Sequence, residues 1–314
     1  DSFLDLYVSR WGYCSRNHYF ENQGNGTFVE KATQLGIAGT KAFTWMTVPI
    51  DVNKDGLWDI YLANDFDFNE LFVQNPNGTF SEQSAQYALD LDGYDMGISI
   101  GDYDNNGEFD LFIAMLNENR LLKRYGNTYV NIADSVRAYR TQWAWSPQFA
   151  DFDLDGDEDL FISNGYTNDF VNHPNQKYNY LLQNLHIEGQ NLFADISAVT
   201  EVDEFSNSMC INVFDYDVDG DMDLIVSNMD DQPFFYENKI TTGDTTLNEP
   251  NWVSFLFRGI VSNRNGLGSE LTVWTNGNQQ RRFYTGANLY SQSLQGVHFG
   301  LGNATIIDSM EIKW

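Results

Sequence analysis

One acidic phrase, D-x-[DN]-x-[DN]-G-x-x-D followed by Ile or Leu, recurs four times in 314 residues. The copies are Asp51, Asn53, Asp55, Gly56 and Asp59; Asp102, Asp104, Asn106, Gly107 and Asp110; Asp151, Asp153, Asp155, Gly156 and Asp159; and Asp215, Asp217, Asp219, Gly220 and Asp223. A fifth is cut by the first residue. Asp1 and Asp5 keep the spacing of Asp55 and Asp59, Leu6 follows as Ile60 does, and Ser2 stands where glycine is expected, so the chain is expected to begin inside a repeat. The final aspartates fall at 5, 59, 110, 159 and 223, which makes successive units 54, 51, 49 and 64 residues long. A steady period of this size marks a repeat array whose units bury their faces against one another.

The hydrophobic pattern around each phrase is that of strands. Short runs precede it (Thr47–Ile50, Ile98–Ile100, Ile211–Phe214) and follow it (Ile60–Leu62, Leu111–Ile113, Leu160–Ile162, Leu224–Val226). A second phrase marks two more strands. Asn17-His18-Tyr19-Phe20 runs into Asn25-Gly26-Thr27-Phe28, and Asn69-Glu70-Leu71-Phe72 into Asn77-Gly78-Thr79-Phe80. Asn-Gly between such runs predicts a hairpin whose two central residues both take positive φ. Each unit therefore reads as a four-stranded meander, and the whole as an all-β β-propeller of about five visible blades; a solenoid is the lesser alternative. A propeller can also hold aspartate-rich turns on one rim and keep a dry core between blades.

Charge narrows the partners. With 45 Asp+Glu against 17 Lys+Arg the net charge is −28, which repels phosphate backbones and anionic lipid. Nucleic acid is excluded as a partner. Aromatic residues reach 15%, so the acid belongs to a folded chain and not a disordered one. No run of 18 apolar residues could span a bilayer. Cys14 and Cys210 read as two buried thiols, with a single long-range disulfide as the alternative. The repeat reading covers residues 1–240; residues 241–250 are polar and turn-rich, as in a linker. Residues 251–314 reverse the balance, with Arg258, Arg264, Arg281, Arg282 and Lys313 against Glu270, Asp308 and Glu311, and alternate like a small β domain.

Oxygen donors at loop positions one, three, five and nine, with glycine at six for the bend, suit a hard cation of variable coordination, calcium before magnesium. The backbone carbonyls at position seven, from Leu57, Glu108, Asp157 and Asp221, would complete each cage. An EF-hand needs a glutamate at position twelve, where this chain has Leu62, Ile113, Ile162 and Val226; that fold is excluded. Unit charges about 4 Å apart repel by roughly 4 kcal/mol at an effective dielectric of 20, so turns this acidic call for a counter-ion. Four to five calcium ions are expected, bound tighter at the loops starting at Asp151 and Asp215, which offer four carboxylates against three.

These residues make the chain resemble the FG-GAP/VCBS repeat proteins, integrin-like propellers that hold calcium between the first two strands of a blade. Residues 252–314 resemble the ASPIC/UnbV domain that follows such repeats in the cartilage acidic protein family. The resemblance rests on Ser262-Asn263-Arg264-Asn265-Gly266-Leu267-Gly268-Ser269, Gln280, Arg281, Gly286, Tyr290-Ser291-Gln292, His298-Phe299-Gly300-Leu301-Gly302 and Ile312-Lys313-Trp314. It implies seven blades in a full protein and an exported, calcium-stabilised binding or adhesion protein at the cell surface or outside the cell.

Catalytic motifs do not survive inspection. Gly97-Ile98-Ser99-Ile100-Gly101 matches a nucleophile elbow, but repeat alignment places Ser99 on an ordinary first strand. The four histidines lack zinc spacing, and His298 reads as a structural hydrogen-bonding residue. Trp45 and Trp145 share one repeat position and read as core. The fourth unit carries an insertion, residues 164–179, whose Tyr166, Asp169, Phe170 and His173 are the expected partner contacts. The leading expectation is a non-catalytic adhesion or recognition module for protein or glycan. The alternatives are a calcium-dependent polysaccharide lyase or hydrolase, and a structural subunit of an extracellular assembly.

Overall fold

The runs that flank each acidic phrase become the first and second strands of an antiparallel blade. In the computed structural model, which describes residues 3–12, 16–40, 43–165, 178–229, 231–241 and 249–314, five such blades follow one another. Asp1, Cys14, Tyr166, Asp169, Phe170 and His173 lie outside the described residues. Blade 2 consists of Thr44–Ile50, Asp59–Phe68, Glu70–Gln74 and Phe80–Glu82. Blade 3 consists of Asp92–Gly101, Asp110–Asn117, Arg120–Tyr125 and Thr128–Asn131. Blade 4 has Gln142–Ala150, Asp159–Asn164, Tyr180–Asn184 and Phe193–Asp195. Three strands each are described for blade 1 (Leu6–Val8, His18–Asn22, Phe28–Glu30) and blade 5 (Ser208–Phe214, Asp223–Asn228, Phe234–Tyr236). The fold is all-β and propeller-like.

Face-to-face stacking shows in how the second strands divide their side chains. Leu111 and Ile113 pack with Val48, Tyr61 and Leu71 of blade 2, whereas Phe112 and Ala114 pack with Phe149, Leu160 and Ile162 of blade 4. Phe161, pointing away from Leu160 and Ile162, joins Ile211, Val213 and Leu224 of blade 5. A strand covered on both faces needs a continuous apolar run, which is why Leu111–Ala114 does not alternate with polar residues. The first strands of blades 2, 3, 4 and 5 touch in sequence along the inner side. Trp145 is buried among them and Trp45 packs against the same cluster, as their repeat position predicts.

Two rows of polar staples join blade to blade. On one rim, a buried asparagine after each second strand closes the hairpin to the third. Asn17, Asn69, Asn119 and Asn179 accept the N–H of Arg10, Asn64, Met115 and Asn164 at 2.8 to 3.0 Å. Asn17 and Asn119 also donate to Thr44 and Thr141 of the following blade. Extra pairing runs along this rim, where Asp65–Phe68 lies against Asp92–Tyr94 and Gln142–Trp143 against Leu116–Asn117. On the other rim, the carbonyl of the second residue of the acidic turn in blades 2, 3 and 4 is held by the next blade. Arg124 donates to Val52 O, Asn184 to Tyr103 O and Asn238 to Phe152 O.

The Asn-Gly hairpins form, but with another turn. Within the two dipeptides only Gly26 and Gly78 have positive φ; Asn25 and Asn77 do not, and in the first loop Gly24 is left-handed as well. Five-residue loops close through Gln23 N–H to Thr27 O and Asn75 N–H to Thr79 O, and each central Asn side chain accepts the N–H of the Thr two residues on. That side-chain bond mimics a backbone turn and lets the Asn itself stay out of the left-handed region.

In the tail, Asn251–Phe255 pairs with Val297–Gly302, and Ser269–Thr275 pairs with both Asn278–Tyr284 and Ser309–Lys313. Leu271, Val273, Val297 and Phe299 form its core. The tail's small hairpin, Ala287–Asn288 with Ser291–Gln292, reaches between the first strands. Leu289 is buried in the cluster of blades 2 and 3, Asn288 bridges Ser146 and Gln148, and Ser291 Oγ donates to Ile211 O.

Replacing Asn119 by alanine strands the Met115 N–H and the Thr141 hydroxyl in a buried rim. We expect a loss of about 2 kcal/mol, the range for an unsatisfied buried polar group. Glu118→Ala, at an exposed neighbour, should leave the thermal midpoint unchanged; equal midpoints for the two variants would show that the asparagine row carries no stability.

Candidate metal centres at the aspartate turns

The acidic turns owe their shape to their own side chains. The first aspartate of each, Asp51, Asp102, Asp151 and Asp215, accepts the N–H of the glycine five residues on at 2.8 to 3.1 Å. The fifth position, Asp55, Asn106, Asp155 and Asp219, accepts the N–H two residues on. The ninth, Asp59, Asp110, Asp159 and Asp223, is buried and accepts an N–H from the end of the third strand at 2.7 to 2.9 Å, from Gln74, Arg124, Asn184 and Asn238 respectively. Asp5 does the same with Asn22 N–H, which places it in the repeat as the spacing implies. The acidic turns and the third-to-fourth strand turns thus share a rim.

Three of the four complete turns gather carboxylates. Asp102, Asp104 and Asp110 each bring one oxygen within 4.8 Å of the others, as do Asp151, Asp153 and Asp155, and Asp215, Asp217 and Asp223. The turn of Asp51, Asp55 and Asp59 makes no such trio among the described residues; there Asn53 donates an amide hydrogen to Asp55. Several of the gathered oxygens are buried without any hydrogen-bond partner: Asp104 Oδ1, Asp110 Oδ2, Asp151 Oδ1, Asp153 Oδ1 and Asp155 Oδ2. Buried polar atoms are almost always satisfied, so orphaned anionic oxygens converging in a turn fit the place of a cation. All donors are hard oxygens, the set that calcium takes.

Burial, first, and repulsion between neighbouring carboxylates push the affinity of these groups for protons upward. Asp59 rises to about 6, Asp102 and Asp157 to about 7, and Asp110 and Asp155 to about 8. Asp151 and Asp159 move in the same direction.

Sequence reasoning missed two groups of residues at these turns. Lys123, at the end of the third strand of blade 3, places its ammonium against Asp104, so this turn carries its own partial counter-ion. Nothing in the turn's own spacing points to it. The tail also lies on the turns. Asp151 Oδ2 accepts Gly300 N–H at 3.0 Å, His298 Nε2 meets Gly220 O at 2.8 Å, Arg281 donates to Gly107 O, and Arg282 pairs with Glu158 at 3.2 Å. Burial lowers His298 to about 4, so it stays neutral as the structural residue expected of it. In blades 3, 4 and 5 the turn glycine faces the tail, so closely in blade 5 that a Cβ on Gly220 would fall 1.7 Å from the Trp252 ring; from the tail side, a Cβ on Gly300 would fall 2.3 Å from Asp151. Positive φ, 82 to 107°, explains glycine at the sixth position of all four turns, including Gly56 where a Cβ would meet nothing, and close backbone approach explains Gly300 in the tail motif. Ser99 is a strand residue whose hydroxyl accepts Phe149 N–H at 3.0 Å. Cys210 is a free thiol.

Blades bearing aspartate turns on one rim, capped by a small β domain, define a propeller-like repeat protein. An FG-GAP-like repeat model matches residues 1–62, 51–113 and 102–162, and an ASPIC and UnbV model matches residues 259–314. The chain belongs to the FG-GAP-like repeat family and carries an ASPIC/UnbV domain after the repeats. No curated protein matches it significantly. Among solved structures it is similar to an Agrocybe aegerita lectin described as recognising non-reducing terminal N-acetylglucosamine, with 12% identity, TM-score 0.39, and coverage of 95% of this chain and 85% of that one. It is also similar to the Photorhabdus luminescens Tc holotoxin pore, with 12% identity, TM-score 0.35, and coverage of 98% of this chain but only 14% of that one. Both likenesses are too distant to bear on function. No helix among the described residues is long and apolar enough to cross a membrane.

The proton affinities predict a pH dependence. A carboxyl raised on folding binds protons more readily in the native state, so without metal the stability should fall as pH rises from about 5 to about 8. Saturating divalent cation needs the ionised form and should cancel or reverse that slope. Thermal midpoints across this range, with chelator and with cation, give the comparison; a flat metal-free profile would contradict the buried acidic turns.

Proposed function

We propose that this chain is an exported calcium-binding propeller that recognises a glycan through the rim opposite its metal turns. The observation that carries the metal half is the set of orphaned carboxylate oxygens in the gathered turns of blades 3 and 4. Calcium neutralises them, locks the turn between first and second strands, and stiffens the rim that supports the tail. Millimolar extracellular calcium would fill even weak turns of this kind, which is why the reading places the protein outside the cell.

Tail residues occupy the metal rim, so recognition falls to the other. That rim carries an unusual cluster of exposed rings: Trp11, Phe66, Phe68 and Tyr94 are 44 to 58% exposed. Trp11 stacks on Trp45 at 5.2 Å, and Phe66 meets Tyr94 edge-on at 5.3 Å. Asp65 fixes both indoles by accepting their N–H groups at 2.9 and 3.2 Å. Asp67 and the exposed Asp92 lie beside the rings. Aromatic faces flanked by carboxylates suit a neutral sugar, whose C–H face packs on rings and whose hydroxyls donate to acids. A net charge of −28 disfavours acidic glycans. Tyr178 and Phe205, paired at 5.4 Å, extend the aromatic character toward the inserted loop.

Two measurements test the reading. Calorimetric titration should show calcium binding with a rise in thermal midpoint, and Lys123→Gln should tighten the blade 3 turn several-fold by freeing Asp104; no heat and no stabilisation would end the calcium assignment. On a glycan array, binding should fall at least tenfold in Trp11→Ala and Tyr94→Ala, while turnover of bound sugar would redirect the assignment to an enzyme.

A further inference from the structure

The seventh residue of a metal turn contributes its backbone to the cage and sends its side chain elsewhere, and the fate of that side chain differs from blade to blade. In blade 3 it is Glu108, which meets Lys54 at 2.5 Å and Arg124 at 3.5 Å. In blade 5 it is Asp221, whose Oδ2 accepts both the N–H and the hydroxyl of Thr241 at 3.1 Å. In blade 4 it is Asp157, fully buried, with Ile187 N–H on Oδ2 at 2.9 Å and nothing on Oδ1. Around it stand more acids: Asp155 and Glu188 each bring an oxygen within 4.8 Å of Asp157 and of one another. Among the described residues, no lysine or arginine forms an ion pair with any of the three.

We propose that Asp155, Asp157 and Glu188 form an additional divalent-cation site, separate from the turn site of Asp151 and Asp153 and found in blade 4 alone. The donor set is all carboxylate, which selects a hard ion such as Ca²⁺ or Mn²⁺. Two buried oxygens, Asp155 Oδ2 and Asp157 Oδ1, lack any partner and would become ligands. Glu188 closes the site from an ordered turn, fixed by Gly189 N–H to His186 O at 2.9 Å and Gln190 N–H to Leu185 O at 2.8 Å. Asp155 belongs to both trios, so its carboxylate would bridge the two ions. The added ion would tie the metal turn to the third-to-fourth strand turn of the same blade, the job that Thr241 does for Asp221 in blade 5.

The proposal extends the calcium reading without depending on the glycan assignment. Native mass spectrometry of the full chain in calcium counts the ions. Glu188→Gln, at an exposed position, should lose one ion of the wild-type complement and keep the rest; Asp153→Asn should lose the turn ion of blade 4. A wild-type count in Glu188→Gln overturns the additional site and leaves the turn reading intact. A wild-type protein that holds no calcium at all overturns both.

Discussion

A buried aspartate at the ninth position of each turn is what the blades depend on. It collects the N–H that ends the third strand and, in blades 2, 4 and 5, the N–H of the turn's second residue. One carboxylate therefore fixes three of a blade's strands relative to one another. That service puts a charge inside protein, where desolvation costs several kcal/mol unless the charge is balanced. On the calcium proposal the same constraint accounts for the acid around it: further carboxylates would turn an awkward single charge into a cage for a divalent counter-ion.

Between the two polar rims the interior is dry. Apolar residues on both faces of each second strand meet the neighbouring blades, so no blade owns a core of its own, and each is completed by the next. The staples work in the same cyclic sense, with Arg124, Asn184 and Asn238 each holding the carbonyl of the preceding blade's turn. A tail of opposite charge balance then settles on the acidic rim with Arg281 and Arg282 directed at it.

Legibility in the sequence followed locality. The turns, their spacing, the strands around them and the third-strand asparagines were readable because each is set within one unit by residues at fixed offsets. The hairpin type was misread because the Asn side chains of Asn25 and Asn77 supply a bond that dipeptide statistics attribute to the backbone. The long arms Asp65–Phe68 and Asp92–Tyr94 went unseen, since pairing across units leaves no period-two signature beyond that of an ordinary strand. Lys123 and Glu188 carry charges that the other units do not repeat, the position of Lys123 being taken in blade 4 by Gln183, which donates to Asp153, so alignment of the repeats passed over them. The gathering of carboxylates in three turns and not in the fourth was hinted at by Asn53, but Asn106 in the same family of positions shows that composition alone would not have sorted them.

The tail hairpin gives the molecule an order of assembly. Leu289 fills space among the first strands of blades that precede it in the chain by well over a hundred residues, so the inner wall of the array stays one side chain short until the tail hairpin has been made. The inner wall of these blades is therefore completed by a residue from outside the repeats, and blades and tail mature together.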